Sequence, residues 1–122
     1  MTDDGASIDQ VLFKTLRYDE VLGAVAISRE GLVVGRAGIG TDDAEVVGAL
    51  GASLVGAAER TARRLGAGMA HDVNLNTADG MIHVQSGGDF AVVLFTERCD
   101  PLAIGALCES TVSEISGLLT DV

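Results

Sequence analysis

Two stretches of this chain, VLGAVAIS at 21–28 and FAVVLF at 90–95, are apolar or small at almost every position. Successive side chains of a strand point to opposite faces of its sheet, so a strand with one wet face alternates. These two do not alternate. Each needs cover on both faces, which places them in the middle of a sheet with helices above and below. The remainder of 122 residues must supply that cover and the flanking strands.

Each central strand has a hairpin neighbour. Val21–Ser28 turns through Arg29-Glu30-Gly31 into a second strand, Leu32–Arg36. The segment AHDVNLNTADGMIHVQ reads as a hairpin with Asp79-Gly80 as a type I′ turn. Ala78 then opposes Met81, Asn76 faces His83 and Asn74 faces Gln85. In that register Val73, Leu75, Ile82 and Val84 point one way, and Asp72, Asn74, Asn76, His83 and Gln85 point the other. Gly87-Gly88-Asp89 leads from this hairpin into the second central strand. The simplest sheet has the order second, first, fifth, fourth, third.

Three helices are available. Ser7 and Gln10 have capping-box spacing, and Ile8, Val11, Leu12 and Leu16 follow on one face, which predicts a helix over 7–18. Asp42 and Glu45 are a second capping-box pair. They open a long helix over 43–65, with Val47, Leu50, Leu54, Ala58 and Leu65 as its apolar stripe and Gly66 as its stop. Asp100 as N-cap and Pro101 at the first position start the last helix, with Ile104, Leu107, Cys108, Thr111, Ile115 and Leu118 on one face. The sheet is antiparallel and five-stranded, in an α/β fold of the α+β sandwich kind. Residues 1–6 are expected to be a flexible N-terminus, and 7–122 a single domain.

Charge and composition remove several classes of function. The formal net charge is −10 with only eight Lys and Arg, which disfavours nucleic acid and anionic membrane surfaces. Aromatic residues are 3%, too few for stacking platforms. The N-terminus MTDDGAS lacks an apolar run and is not expected to act as a signal peptide. The longest charge-free helical run, Val46–Ala58, is too short to span a bilayer. A cytoplasmic protein without membrane insertion is expected. Cys99 and Cys108 have no zinc spacing and read as small apolar residues.

The order of elements, with the hairpin VLGAVAISREGLVVGR, the Ala-rich helix DAEVVGALGASLVGAAERTARRL, the hairpin NLNTADGMIHVQ, the strand FAVVLFT and the helix after Asp100-Pro101, resembles the roadblock/dynein light chain family. The likeness runs from about Ser7 to Leu118 and is closest to its bacterial, gliding-motility-regulator type. It implies a profilin-like sandwich and a dimer with one continuous sheet. It also implies a non-enzymatic role as scaffold or regulator of a small Ras-like GTPase, in some systems beside a histidine kinase. A small-molecule sensor module is the alternative reading.

No catalytic constellation accompanies these patterns. GRAGIG precedes a helix but lacks the lysine of a phosphate loop, and Asp42, Asp43 and Glu45 crowd the helix start. His71, Asp72 and His83 lack ligand spacing and read as rim residues of a half-solvated hairpin. Ser86 and Ser113 have no recognisable nucleophile context. No cofactor and no metal are expected. Surfaces remain. The strand near 70–77 is a sheet edge without Pro or Lys, a template for a second copy. In the register above, residues 73, 75 and 77 present their N–H groups to that copy. Gly48, Ala52 and Gly56 would let the long helix meet its own copy above the seam, so the expected dimer interface is Gly48, Ala52, Gly56, Val73, Leu75 and Thr77. The polar floor of Asp72, Asn74, Asn76, His83 and Gln85, and the basic Arg60 and Arg64, are the expected partner contacts.

Overall fold

The computed structural model describes the backbone of residues 4–120 and the side chains of residues 8–119. The elements are α1 (Asp4–Thr15), β1 (Val21–Ser28), β2 (Val33–Ala37), α2 (Thr41–Arg64), β3 (Asp72–Asn76), β4 (Gly80–Ser86), β5 (Phe90–Glu97) and α3 (Pro101–Thr120). They form one five-stranded antiparallel sheet in the order β2-β1-β5-β4-β3. The order and the central place of β1 and β5 match the reading from apolar pattern.

Helices cover both faces. On one face α1 and α3 lay Val11, Leu12, Ile104, Cys108 and Ile115 on Ala24, Ala26, Val92 and Leu94. A Lys14–Glu114 ion pair joins the two helices at the surface. By length and composition α3 is apolar enough to cross a membrane, and the run from Val46 to Ala58 is therefore not the stretch that decides that question. In the fold the inner face of α3, with Ile104, Cys108, Thr111, Val112 and Ile115, is buried on the sheet. On the other face α2 lies alone over Val25, Ile27, Val84, Ala91 and Val93.

Helix ends differ from expectation in instructive ways. Residues 1–3 of the expected flexible segment lie outside the described residues, while 4–6 already belong to α1. Ser7 is therefore inside the helix and not its cap. The N-cap of α2 is Gly40, with no side-chain cap bond, so Asp42 sits in the first turn beside Asp43, where their charges favour the helix N-terminus. The other two expected ends hold. Asp100 Oδ1 accepts from the N–H of Leu102 at 3.0 Å. Gly66, at φ +65, closes α2 as a Schellman motif, with Ala67 N–H to Ala62 O and Gly66 N–H to Arg63 O.

The packing of α2 is a correction. Ala44, Gly48 and Gly51 are its buried residues, whereas Leu50 is 37% and Leu65 74% exposed. A Cβ on Gly48 would stand 2.7 Å from Gly31 O, and one on Gly51 2.9 Å from Val93 Cγ2. Small residues let the helix sink onto the sheet, so close approach outweighs the ~1 kcal/mol that each helical glycine costs.

Candidate interaction surface

The β3–β4 hairpin shows how one residue in a turn redirects a whole edge. Thr77 N–H and Oγ1 both donate to Gly80 O, at 2.9 and 3.1 Å. The two loop residues are therefore Ala78 and Asp79, not Asp79 and Gly80, and neither has positive φ. The pairs are Asn76 with Met81, Asn74 with His83 and Asp72 with Gln85, two residues away from the expected register. A shift of two keeps every side chain on its expected face. The direction of the hydrogen bonds inverts. Thr77 N–H to Gly80 and Ser86 N–H to His71 O bracket the ladder, so by alternation residues 71, 73, 75 and 77 bond inward to β4. The N–H groups of Asp72, Asn74 and Asn76 point along the open edge. The expectation that 73, 75 and 77 face outward is overturned.

The polar floor is likewise only partly a floor. His83 is 2% exposed, beneath α3, and not a rim residue. A Cβ on Gly105 would stand 3.7 Å from its Cε1, so the small residue in α3 makes room for the ring. Its Nδ1 lies 3.2 Å from Asn74 Oδ1 and its Nε2 3.5 Å from Asp72 Oδ2. Nε2 has no hydrogen bond among the described residues. Burial lowers the His83 pKa below its ordinary value, and the Asp72 charge offsets part of that. Asp72 and Asn76 are exposed, Asn74 and Gln85 half-buried. The Cys108 thiol, buried beside Val92, is pushed up to about 12 by desolvation and, less, by Asp72. Cys99 and Cys108 are both free thiols.

The expected dimer residues divide. Val73 and Leu75 lie on the α2 side of the edge, half-buried and exposed respectively. Gly48 and Ala52 are turned inward: a Cβ at Gly31 would meet Ala52 Cβ at 3.2 Å. The close contact that Gly48 was expected to make with a second helix is made with this chain's own Gly31 and Ile27. Gly56 is half-buried, with its own Arg60 guanidinium over it.

What the chain pattern did not single out is an apolar groove beside α2. Leu22, Ile39, Val46, Val47, Ile82 and Phe95 line about 460 Å³ of open cleft. Val46 is 69% exposed, and Leu22 and Phe95 about two-fifths. Phe95 and Leu22 sit on nominally central strands, and a single helix does not cover both ends of them. At the far end of α2 Arg60, Arg63 and Arg64 are exposed, and Arg63 lines a cleft with Arg29, which donates to Gly88 O and pairs with Glu59 at 3.4 Å. No group of His, Cys, Asp and Glu able to hold a metal occurs among the described residues.

An open strand edge thus lies beside a helix that leaves part of its face of the sheet uncovered. Residues 7–95 match the Roadblock/LC7 domain family, and the chain belongs to it. An uncharacterised protein of Methanocaldococcus jannaschii is 31% identical over 90 residues, 74% of this chain and 79% of its own. Among solved structures, MglB of Myxococcus xanthus has a TM-score of 0.84 at 14% identity, covering 95% of this chain and 97% of that one. An MglB with a tetrameric arrangement has a TM-score of 0.82 at 19% identity, covering 97% and 91%. At these identities the likeness is one of fold.

Proposed function

We propose that this chain is a homodimeric, non-enzymatic scaffold or regulator of a small Ras-like GTPase, working in the cytoplasm of a bacterial signalling or polarity system. The observation that carries the reading is the β3 edge: unpaired N–H groups at Asp72, Asn74 and Asn76 beside exposed apolar surface at Leu75, Val46 and Phe95. An edge of this kind templates strand addition, and a two-fold copy closes it antiparallel. Family membership and the shared MglB fold support the GTPase as partner, and a histidine kinase in the same system would be the upstream component. Regulation then needs a difference in affinity between the nucleotide states of that GTPase.

The test uses tagged protein and lysate of its own organism, loaded with either GDP or a non-hydrolysable GTP analogue. A small GTPase retained in one nucleotide state supports the proposal. Retention of no small GTPase in either state contradicts it. The platform itself should hydrolyse no GTP, and calorimetry showing micromolar or tighter nucleotide binding would overturn the non-enzymatic reading.

A further inference from the structure

On the α3 side of the sheet, where α3 passes over β3 and β4, lies an open cleft of about 500 Å³. His71, Asp72 and Gln85 line it from the sheet, and Pro101, Leu102 and Glu109 from α3. Asp72 and Glu109 are both exposed, and no Lys or Arg among the described residues lines the cleft. Leu102, 83% exposed, adds an apolar shelf beside the acids.

The ring behind the cleft shows what the acids lack. Asn74 Nδ2 donates to Asn76 Oδ1 at 3.4 Å, which turns Asn74 Oδ1 toward His83 Nδ1, 3.2 Å away. An amide oxygen only accepts, so this network assigns the hydrogen of the neutral ring to Nδ1 and leaves Nε2 a bare lone pair. That lone pair is buried, has no hydrogen bond and points at the cleft wall: Asp72 Oδ2 lies 3.5 Å from it, and a Cβ on Gly105 would stand 3.9 Å away. Two acceptors face each other with no donor between them. Nε2 is closed to solvent, but half of the Asp72 side chain is open to it. A cationic donor arriving from the cleft side of Asp72 would offset the negative potential of both groups.

We infer that this cleft docks a lysine- or arginine-bearing segment of a protein partner, its cationic head on Asp72 and Glu109 and its aliphatic stem on Leu102. Charge complementarity selects the occupant, because the lining offers carboxylates and an uncompensated lone pair. The inference goes beyond the GTPase reading and does not need the edge-paired dimer. A proton is the rival ligand: on Nε2 it gives Asp72 a cation from within the fold. The other titratable groups about the ring are His71 from the β3 side and Glu109 and Cys108 from α3, with Cys108 a neutral thiol, while β5 offers Leu94 opposite His83.

The probe is a fluorescent nonapeptide carrying three lysines, followed by anisotropy at low salt, with a glutamate counterpart. Asp72→Asn and Glu109→Gln should each weaken binding about fivefold, whereas Asp89→Asn and Glu45→Gln, which remove the same charge elsewhere, should change it less than about twofold. All four sites are exposed, and circular dichroism should show an unchanged fold. In protein labelled for NMR, the probe should shift the amides of Gln85, Gly105 and Glu109. With His71→Gln as background, binding should weaken as the pH falls below 6.5, and adding Asp72→Asn should remove that dependence. No binding of the basic probe, equal binding of the glutamate peptide, or equal losses in the control variants would each overturn the proposal. Unchanged affinity below pH 6.5 in the His71→Gln background would overturn the competition with His83.

Discussion

The two edges of this sheet are treated differently. At β2, the N–H of Arg36 that points away from β1 is taken by Asp9 Oδ1 at 2.8 Å, and Ile8 of α1 presses on Gly35 so closely that a Cβ there would stand 2.5 Å from its Cγ2. Helix α1 thus covers the edge with both a carboxylate and a methyl group. At β3, the equivalent N–H groups of Asp72, Asn74 and Asn76 point into open space, and the flanking apolar surface is left bare. An open edge invites aggregation unless it is used. A chain that seals one edge and leaves the other flat and free of proline has one edge available for pairing.

The largest effects should come from proline at β3, because adjacent positions face opposite ways. Val73→Pro removes an inward N–H and is expected to cost roughly 2–4 kcal/mol of protomer stability, read as a fall in the chemical-denaturation midpoint. Asn74→Pro removes an outward N–H. It should dissociate the dimer in a dilution series followed by light scattering, and lower the protomer's midpoint less than Val73→Pro does, by the ~1 kcal/mol of the lost Asn74 Oδ1 contact with His83 Nδ1. The opposite pattern in the two variants would mean that the bonding direction of the strand is reversed.

At the sealed edge, Gly35→Val should force Ile8 and with it α1 off β2, at about 1–3 kcal/mol. It should also create concentration-dependent association that wild type lacks once its β3 edge is blocked by Asn74→Pro. Asp9→Ala should do the same more mildly, costing about 1 kcal/mol by removing one hydrogen-bond acceptor. If Asp9→Ala in the Asn74→Pro background stays monomeric with unchanged stability, α1 is not the guard of that edge.

The smallest effect concerns pH. His83 has a folded pKa held below the ordinary 6.5 by burial. Below 6.5 the unfolded chain then binds more protons at this site than the folded one. Stability from this group is full above that pH, falls as the pH drops from 6.5 towards the folded value, and levels off below it. Because other groups titrate as well, the readout is the difference between wild type and His83→Gln. The variant should show a shallower loss over that window, and parallel curves would remove His83 as the cause.

The central strands, the sheet order and the face of each hairpin residue were legible because alternation, or its lack, survives a two-residue register error. The turn was not. Asp79-Gly80 is a strong turn dipeptide, yet Gly80 is glycine for another reason: a Cβ there would lie 2.6 Å from Thr96 O of the neighbouring strand. Local pattern cannot separate a glycine that bends the chain from one that admits a neighbour. The same ambiguity misplaced Gly48, whose partner is this chain's own sheet. His83 read as a rim residue because its cover comes from α3, whose Gly105 is 22 residues further on.

Amide hydrogen exchange along β3, read residue by residue by NMR at concentrations above and below dimer dissociation, tests the central claim most directly. The amides of Val73, Leu75 and Thr77 should be protected at every concentration, since they bond to β4. Those of Asn74 and Asn76 should be protected in the dimer and should exchange freely on dilution. Free exchange at Asn74 and Asn76 in a sample that is fully dimeric, or concentration-dependent protection at Val73 and Leu75, would contradict an open β3 edge as the seam of this protein.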